Sequence, residues 1–441
     1  MSKYSKEDIF RIVEEEDVEF IRLQFTDIFG MLKNVAITSS QLKKALDNRC
    51  MFDGSSIEGF VRIEESDMYL YPDLDTFEIF PWRPQQGKVA RLMCDVYRPN
   101  KTPFEGDPRY VLRSVLKEAA DMGFVFNAGP ECEFFIFQTD EEGRPTTETQ
   151  EMAGYFDVAP IDQGENVRRD IVLNLEDMGF MIEASHHEMA PGQHEIDFEY
   201  AEGLVTADNV MTFKMAVKAI AKRHGLHATF MPKPRQDVNG SGLHLHMRLL
   251  KNGRNVFTGE NGELSTDGEA FLAGILGHVV GMTAVFNPLV NSYKRLVPGF
   301  EAPSDVTWSR TQRNALLHVR KRRGEGVDLE LRSPDCAANP YLLLALCLEA
   351  GLDGIRKQQK APKELTEDIC RLSDEEKKQR KIQSLPENLG VALDAMGQDL
   401  LVREVLGESY VAEYQKMKRR EWKNYLEQVT KWELEQYLYL V

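Results

Sequence analysis

The sequence predicts an α+β fold, with a small N-terminal domain followed by a larger one. With 441 residues, the chain exceeds the length, roughly 250–300 residues, at which a single hydrophobic core usually stops growing. Apolar residues make up 42% of the chain and charged residues 28%, which is the balance of a globular protein. A stretch rich in Pro and Gly at 81–108 interrupts the regular elements. We therefore predict domains at 1–104 and 105–441.

The first domain shows helix and strand signals in close succession. Ser5 and the acidic residues after it predict a capped helix over 5–16. Polar and apolar positions roughly alternate over 18–37, on both sides of Phe29-Gly30, which predicts a hairpin. The segment "TSSQLKKALDN" predicts a second capped helix, and "KVARLMCDVY" predicts a strand.

The second domain begins with a helix and continues as strands alternating with helices. Pro108 fits the first turn of a helix over 107–124. Strands that carry polar residues then alternate with amphipathic helices to about residue 350, and the remainder is mostly helical and charged. The long uncharged run "AGILGHVVGMTAVFNPLV" contains three glycines, a histidine and an asparagine. It is short for a membrane span and predicts a buried helix.

The charge and the cysteines exclude several classes of function. A net charge of −17 argues against general binding to nucleic acid or anionic membranes, because phosphate binding needs a basic surface. The six cysteines lie far apart without a C-x-x-C pair, so neither a zinc site nor a redox motif is predicted. The N-terminus lacks the pattern of a signal peptide, and reduced thiols fit a cytoplasmic location.

Two carboxylates share one face of a predicted strand in the segment "GPECEFFIF". Alternate side chains of a strand point the same way, so Glu131 and Glu133 lie side by side. They repel each other unless a cation neutralises them. Taken alone, the pair fits a cation site and the wet face of an edge strand about equally.

The same alternation recurs elsewhere in the second domain. The residues concerned are His244 with His246, Asp328 with Glu330 and Arg332, and Glu188 with Glu195 on either side of a Pro-Gly turn. Several strands with one polar and one apolar face predict a sheet curved around a charged cavity. A lone histidine is more often a satisfied core residue than a ligand, but the recurrence favours a site.

The ligand set suggests hard divalent cations. It is rich in carboxylates, contains one or two histidines and lacks cysteine, which suits Mg²⁺ or Mn²⁺ better than Zn²⁺. Carboxylates around two such ions are typical of enzymes that handle the phosphates of a nucleotide. Neither a P-loop nor G-x-G-x-x-G is present. The residues alone predict a two-metal phosphoryl-transfer enzyme of unspecified substrate.

Six segments resemble the signature segments of type I glutamine synthetase, in that family's order and over about three quarters of the chain. They are "FDGSSIEGF", "GPECEFF", "HHEMAPGQHEIDF", "NGSGLHLH", "NSYKRLVPGFEAP" and "ELRSPDCAANPY". The resemblance implies a β-grasp-like N-terminal domain and a catalytic domain with a curved antiparallel sheet surrounded by helices. It also implies that ATP phosphorylates the side chain of L-glutamate and that ammonia then displaces phosphate, giving L-glutamine.

The resemblance assigns roles position by position. One metal ion would be held by Glu133, Glu188 and Glu195, and the other by Glu131, His244 and Glu330. The residues that match the glutamate site are Asn239, Gly240, Arg295, Arg332 and Tyr155. A guanidinium fork suits a substrate carboxylate. The residues that match the nucleotide side are Glu183, His246 and Arg313, the last also with a catalytic role.

The resemblance further implies a site shared between subunits. Glu301 matches a flap that closes over the γ-glutamyl phosphate intermediate. Asp53 matches the group that takes a proton from ammonium and comes from the neighbouring subunit of a dodecamer of two hexameric rings. Cys370 stands where the branch controlled by adenylylation has tyrosine. Arg62 and Glu421 match positions linked to glutamine feedback in the alpha-type branch, and a regulatory protein partner stays open.

The nucleotide side departs from the family pattern. His318 stands where an arginine would hold phosphates, Arg320 replaces a proline, and Asp328 stands where another phosphate-facing arginine is expected. Arg248 replaces a serine, and Gln236-Asp237 replaces Phe-Gly near the adenine region. Reversing a charge beside a polyphosphate removes charge-assisted contacts worth about 1.5–3 kcal/mol each.

Three hypotheses follow from these departures on the nucleotide side. In the first, which we favour, the protein is an active glutamate–ammonia ligase in which other cations compensate, the candidates being Arg248, Arg320, Lys321 and Arg322. In the second, the amine is an organic one, and the presence of Asp53 counts against it. In the third, the ATP side has decayed and the protein is a non-catalytic or regulatory paralogue, for which Asp328 is the best support.

Overall fold

The computed structural model describes residues 3–57 and 67–441. Its strands are Val18–Thr26 (β1), Leu32–Thr38 (β2), Cys50–Asp53 (β3), Asp67–Pro72 (β4), Glu78–Ile79 (β5), Lys88–Tyr97 (β6), Val125–Gln138 (β7), Ile182–His187 (β8), Gln193–Phe198 (β9), Ala201–Glu202 (β10), Leu226–Thr229 (β11), Leu243–Lys251 (β12), Arg254–Asn255 (β13), Trp308–Ser309 (β14), Leu317–Arg322 (β15) and Gly326–Leu331 (β16). Its helices are Lys6–Glu15 (α1), Leu42–Leu46 (α2), Pro108–Asp121 (α3), Glu165–Asp177 (α4), Gly203–Arg223 (α5), Thr266–Phe286 (α6), Pro340–Lys357 (α7), Asp374–Gln379 (α8), Leu389–Gln398 (α9), Leu400–Leu406 (α10), Glu408–Leu426 (α11) and Lys431–Tyr437 (α12).

The first sheet has the strand order β2-β1-β6-β4-β3, with β5 beside β6. Strand β1 pairs antiparallel with β2 and parallel with β6, so the predicted hairpin is confirmed. Ser5 and Asp8 form a capping box at the start of α1, as the sequence predicts. The predicted cap over 38–48 is wrong. That segment opens with a turn of 3-10 helix, and Thr38 donates or accepts no side-chain cap hydrogen bond there.

The second sheet has the order β14-β15-β16-β12-β7-β9-β8, with β10 and β11 on β7 and β13 on β12. Its strand pairs are antiparallel except for β14 with β15 at one edge. The α+β class is therefore confirmed. The predicted antiparallel sheet is found except at this one parallel pair. Strand β7 lies in the middle, so its side chains are flanked by those of β12 and β9.

The core beneath the second sheet is built around α6 and α7. Glycine allows their close approach, because a Cβ on Gly274 would lie 2.0 Å from the Ala350 carbonyl oxygen, and one on Gly354 would lie 2.0 Å from that of Ala270. In residues 3–57 and 67–441, α6 is the helix long and apolar enough to cross a membrane, and 78% of its most apolar window is buried in the core. The predicted buried helix is confirmed.

Candidate active site

The register of the second sheet gathers the acidic residues on one face. Glu131 of β7 lies opposite His244 of β12, and Glu133 lies opposite Glu195 of β9. On the far side of β12, His246 lies opposite Glu330 of β16. Within β7, Glu131 and Glu133 are two residues apart, and so are His244 and His246 within β12. Their side chains therefore lie on the same face of the sheet.

A tight turn brings Glu188 to the same face. The turn 188–192 joins β8 to β9, and the Glu188 amide donates to the Gln193 carbonyl oxygen at 2.8 Å. Gly192 has φ +75°, and a Cβ there would lie 2.9 Å from the Ile136 carbonyl oxygen, so only glycine closes the turn without strain. Ligand atoms of Glu188 and Glu195 lie within 4.8 Å of each other.

Three groups of potential metal ligands overlap at this face, and within each group the ligand atoms lie within 4.8 Å of one another. They are Glu131 with Glu195 and His244, Glu131 with His246 and Glu330, and His186 with Glu188 and Glu195. Five of the six residues assigned to two ions belong to these groups, Glu133 being the exception, and the grouping differs from the assignment. Glu330 is grouped with His246 rather than His244, and Glu133 accepts from the Gly242 amide at 2.8 Å and from the Gln193 amide nitrogen at 3.1 Å.

A fourth group of ligand types lies behind the hairpin and serves its structure. Glu151 accepts from the Gly192 amide at 2.8 Å and lies 2.5 Å from His187 Nε2. Arg168 donates to Asp162 at 2.7 Å and lies 2.9 Å from His194 Nδ1. This buried network holds the turn between Glu188 and Glu195 in place. Arg168 already supplies the positive charge that its carboxylates need.

The carboxylates around β9 hold their protons more tightly than usual. Burial, and then the charges of neighbouring carboxylates, raise the pKa of Glu195 well above its usual range. Burial also raises the pKa of Glu133 and of Glu188, and the charge of Glu301 adds to the effect on Glu188. Such crowding of buried carboxylates fits a site that takes divalent cations, which would relieve the repulsion.

Asp197 is a further acidic residue that the sequence analysis missed. It lies opposite Glu131 in the β7–β9 register, and its Oδ1 is buried without a hydrogen-bond partner. Burial, followed by the charge of Glu131, raises the pKa of Asp197 to about 7. Its spacing of two residues from Glu195 was the signal that could have found it.

On the β12–β16 side, the carboxylates are already paired with cations. Burial alone would raise the pKa of Glu131, but His246 and His244 outweigh burial and lower it. The His246 Nε2 atom lies 2.6 Å from Glu131 Oε1. Burial opposes the charge on His246, but Glu131 and Asp328 raise the pKa of His246 to about 9. Glu330 likewise has a lowered pKa against the effect of burial, through His318 and Arg332.

The residues assigned to glutamate lie beside Glu133. Arg295 is 3% exposed and donates to the carbonyl oxygens of Ser333 at 2.8 Å and Arg332 at 3.0 Å. Close packing requires glycine nearby, because a Cβ on Gly240 would lie 2.3 Å from the Pro232 carbonyl oxygen. Arg332 donates to Glu330, and its Nε is buried without a partner in the described chain.

The remaining residues of this side stand at the rim. Asn239 is half-buried, and Tyr155 stacks on Phe156 with ring centroids 4.0 Å apart and contacts His186 edge-on at 5.6 Å. Glu301 is exposed and has φ +57°, the left-handed conformation that glycine usually occupies. Its charge reaches Glu188. Arg313 is exposed, and its charge reaches Tyr155.

Three predicted residues lie away from the cluster or outside the described chain. Asp53 ends β3 and accepts hydrogen bonds from the Ser55 amide at 2.9 Å and hydroxyl at 2.6 Å. The described part of this chain shows no contact between Asp53 and the carboxylate cluster. Glu421 accepts from Lys418 at 2.8 Å on α11. Arg62 lies outside the described residues.

Three of the residues that depart from the family pattern, His318, Arg320 and Asp328, lie on β15 and β16. His318 Nδ1 lies 3.1 Å from Glu330 Oε2. Two residues along the same face, Arg320 reaches into the cluster, where its Nη1 lies 3.2 Å from Glu131 Oε1 and 3.0 Å from His246 Nε2. A guanidinium thus lies among the ligand groups, one pleat further along the strand than His318.

Asp328 is completely buried and does not face solvent. Tyr200 donates its hydroxyl to Asp328 Oδ2 at 2.5 Å, and Arg322 Nε lies 3.5 Å from the same oxygen. The Tyr200 ring lies between two guanidiniums, with its centroid 3.9 Å from Cζ of Arg248 and 5.6 Å from that of Arg322. Arg322 also donates to Glu183 at 2.7 Å. The sequence analysis gave no role to Tyr200, and no motif marks it.

Known sequences resemble this chain over its whole length. The family model described as "Glutamine synthetase, beta-Grasp domain" matches residues 17–99 of this chain. The model described as "Glutamine synthetase, catalytic domain" matches residues 105–437. The glutamine synthetase of Clostridium saccharobutylicum is 59% identical over 440 residues, covering 99% of both chains. That of Staphylococcus aureus strain N315 is 56% identical over 438 residues, covering 99% of this chain and 98% of its own.

Solved structures share the fold. A structure titled "GmaS/ADP complex-Conformation 1" has a TM-score of 0.89 at 34% identity, covering 98% of this chain and 99% of its own. The glutamine synthetase of Plasmodium falciparum has a TM-score of 0.86 at 26% identity, covering 99% of both chains. The β-grasp-like first domain predicted above is confirmed. On sequence and fold together, this chain belongs to the glutamine synthetase family.

Proposed function

We propose that this protein is a glutamate–ammonia ligase, which uses ATP to join ammonia to the side-chain carboxylate of L-glutamate and releases L-glutamine, ADP and phosphate. The observation that carries the proposal is the convergence of buried carboxylates and histidines on one face of the second sheet, beside the buried guanidinium of Arg295. The full-length similarity to glutamine synthetases supports the same reaction.

Two divalent ions, Mg²⁺ or Mn²⁺, fit the cluster. The donors are carboxylate oxygens and imidazole nitrogens, and the described cluster contains no thiolate. The proposed ligands are Glu131, Glu133, Glu188, Glu195, His244 and Glu330. When bound, the ions would supply the positive charge that stabilises the phosphates of ATP during transfer. The raised pKa of Glu195 supports this assignment, because a cation replaces the proton it would otherwise hold.

The residues of this chain would orient glutamate and exclude water. Arg295 and Arg332 would bind its carboxylate by charge-assisted hydrogen bonds, with Asn239, Gly240 and Tyr155 around them. A carboxylate has no usable leaving group, so phosphorylation creates one, and ammonia then displaces phosphate. Glu301, on the exposed flap, would close over the acyl phosphate so that water does not hydrolyse it.

The site is complete only in an oligomer under this proposal. Asp53, which would take the proton of ammonium, shows no contact with the carboxylate cluster among the described residues of its own chain, so it would serve a neighbouring subunit. Helix α12 and the residues after it expose large apolar side chains, including Trp432 at 58% and Tyr439 at 92%. Such a surface is typical of a subunit contact. A dodecamer in the cytoplasm is the proposed state.

The nucleotide side would use different cations from the rest of the family. Glu183, His246 and Arg313 keep their proposed roles. Arg320 would offer the phosphates the guanidinium that His318 cannot. The charge reversal at Asp328 is compensated locally by Tyr200 and Arg322. This compensation counts against a decayed ATP site.

The decisive experiment measures glutamine and phosphate together in one reaction. Purified oligomer is mixed with ATP, glutamate, ammonium and Mg²⁺ or Mn²⁺, and Glu133→Gln serves as the inactive control. We expect the two products in equal amounts. Release of phosphate without glutamine would indicate that the enzyme uses an amine other than ammonia. Neither product from intact oligomer would reject the ligase.

Feedback regulation by glutamine is a separate proposal. Glu421 is held by Lys418 on α11, and Arg62 is its proposed counterpart. Cys370 cannot accept the adenylyl group that a tyrosine would, so this control is excluded from the proposal. Glutamine should inhibit the enzyme, and Glu421→Gln should weaken that inhibition without changing the kcat measured in its absence.

A further inference from the structure

The flap that carries Glu301 is a turn with a strained backbone. Gly299 has φ +95° and Glu301 has φ +57°, so two left-handed residues flank Phe300. A residue other than glycine keeps this conformation only where its surroundings hold it. On the C-terminal side the hold is packing, since Ala302 is 9% exposed. On the N-terminal side Pro298 and Gly299 are exposed, which leaves the half-buried ring of Phe300 to hold the turn.

The Phe300 ring packs on the ammonium group of Lys233. The ring centroid lies 3.5 Å from Lys233 Nζ, whereas other lysines over aromatic rings in the described chain lie 4.8 to 5.7 Å away. Lys233 is 7% exposed and forms no ion pair with a carboxylate in residues 3–57 and 67–441. Burying a cation without a counter-ion is costly. The face of an aromatic ring is a partner whose attraction for a cation grows when water is removed.

Lys233 also connects this ring to the residues assigned to glutamate. Its Nζ donates to the carbonyl oxygen of Val238, the residue immediately before Asn239. The backbone of Lys233 is fixed by Asn291, whose Oδ1 accepts from the Lys233 amide at 2.7 Å and whose Nδ2 donates to the Lys233 carbonyl oxygen at 3.0 Å. Lys233 therefore has a fixed backbone, and its side chain contacts the glutamate side and the flap at once.

We propose that Lys233 and Phe300 form a latch that holds the flap closed over the γ-glutamyl phosphate, with Lys233 as a positioning residue for Glu301. The inference rests on the proposed function, because it concerns how that reaction excludes water. Glutamate bound at Asn239 fixes the neighbouring carbonyl group of Val238, and with it the ammonium group beneath the ring. The substrate thus sets the latch before ammonia attacks.

Loss of the latch gives water access to the intermediate. The oxygen of water attacks the γ-carbonyl carbon, the bond from that carbon to the phosphate oxygen breaks, and phosphate leaves while a proton of the water passes to solvent. Glutamate is regenerated, so ATP is consumed without forming glutamine. Ammonia competes with water for the same carbon, so the excess of phosphate should fall as the ammonium concentration rises. A general loss of folded enzyme would instead lower both products equally.

The test measures phosphate and glutamine together on the intact oligomer with Mg²⁺. Phe300→Leu removes the ring, Phe300→Tyr keeps it, and Lys233→Met removes the charge at similar length. We expect the ratio of phosphate to glutamine to rise from about 1 to about 2 or more in Phe300→Leu and in Lys233→Met. It should stay near that of the parent in Phe300→Tyr and in the control Phe10→Leu, which changes an exposed ring of α1.

A double variant tests whether the two residues act as one unit. If they do, combining Phe300→Leu with Lys233→Met should raise the ratio no further than the stronger single change, since each change already removes the contact. Light scattering first establishes that every variant keeps the oligomer of the parent. Because Phe300 lies on an exposed flap, its variants test the latch even if Lys233→Met fails to assemble.

Two results would overturn the latch. One is a ratio that equals the parent's in Phe300→Leu while kcat falls, which would make the contact merely structural. The other is excess phosphate that persists without glutamate or does not decrease with ammonium, which would mean direct hydrolysis of ATP. In water labelled with heavy oxygen, the latch predicts label in the γ-carboxylate of recovered glutamate. A parent that forms no glutamine would reject the proposed function itself, whereas equal products in parent and variants would reject the latch alone.

Discussion

The two halves of the polar face on the second sheet carry charge in opposite ways. Around β7 and β9, the carboxyls of Glu133, Glu188 and Glu195 lie together, and burial raises the pKa of each. Around β15 and β16, each acid has its own cation, as Asp328 has Arg322 within 3.5 Å. The carboxyls of the first half become neutral only by holding protons or binding divalent ions, whereas the acids of the second half are paired with cations of the chain itself.

This difference teaches where a change of residue type can be tolerated. In the first half, a substitution removes a donor that no neighbour replaces, since each carboxylate has a place set by the strand register. In the second half, the reversal of charge at position 328 comes with Tyr200, Arg248 and Arg322 around it. Local pairing with Arg322 and Tyr200 stabilises the carboxylate of Asp328 there.

The largest effect should come from Glu195→Gln in the first half. The amide keeps the shape but loses the charge and one oxygen donor. We expect kcat/KM to fall by more than about 100-fold, since even indirect partners of metal ligands account for 10–100-fold in affinity or activity. Steady-state glutamine formation and Mn²⁺ titration measure this.

The control for that variant is Glu263→Gln, which removes an exposed carboxylate that pairs with Lys321 at 2.7 Å. It should change activity less than twofold. A Glu195→Gln enzyme that retained its Mn²⁺ affinity would place the metal ions elsewhere and remove the contrast between the two halves.

The next largest effect should come from Asp328→Arg, which introduces the arginine that the resemblance implies at this position. The new guanidinium would face Arg322 and Arg248 in a fully buried place. Breaking a buried pair costs about 3–5 kcal/mol, so we expect lower stability in urea unfolding and lower activity. Asp328→Asn, which keeps an acceptor for Tyr200, should lose less. A variant with unchanged stability and faster turnover would show that the second half had decayed.

Sequence patterns could predict the first half because strand alternation carries the information. Glu131 with Glu133 and His244 with His246 each have the spacing of two that places side chains on one face. The hairpin and α3 follow from turn and capping residues in the same direct way. The cap of the helix near Thr38 failed because a 3-10 turn intervened, and propensity does not resolve such a choice.

The second half could not be predicted, because its contacts join residues far apart in the chain. Tyr200 meets Asp328 across 128 positions, and no local motif marks the pair. The grouping of ligands likewise depends on side-chain directions that the pattern leaves open, as Glu330 lies with His246 rather than His244. Long-range packing decided these contacts.

A smaller effect should come from Arg320→Gln at the boundary of the two halves. Its guanidinium lies 3.2 Å from Glu131 and would turn to the phosphates of ATP. Losing a charge-assisted contact of about 1.5–3 kcal/mol corresponds to a 10–150-fold weaker Kd for ADP with Mg²⁺. Calorimetry measures that Kd, with Arg11→Gln, an exposed arginine of α1 that pairs with Asp8, as the matched control. If Arg320→Gln tightened Mn²⁺ binding and left the Kd for ADP unchanged, Arg320 would be only a counter-ion of the cluster.

The smallest effect should be a pH dependence of stability that divalent ions abolish. Unfolded carboxyls ionise near pH 4 to 4.5, whereas burial raises the folded pKa of Glu195, and that of Asp197 to about 7. Between those values the folded state holds protons that the unfolded state has lost, so the unfolding free energy falls as pH rises. His246, with a pKa of about 9, adds to the same trend above pH 6.5.

We therefore expect the Tm of the metal-free protein to fall from pH 5 to pH 8, by an amount set by about 1.4 kcal/mol per pH unit for each proton released. Glu131 and Glu330 have lowered pKa values, so their contribution is lost only in stronger acid, outside this window. Saturating Mn²⁺ should flatten the profile, because the ion takes the place of the protons. Glu195→Gln should flatten it in part without metal. A metal-free Tm that rose across this range would mean that the carboxyls around β9 are already paired, and the two halves of the face would not differ.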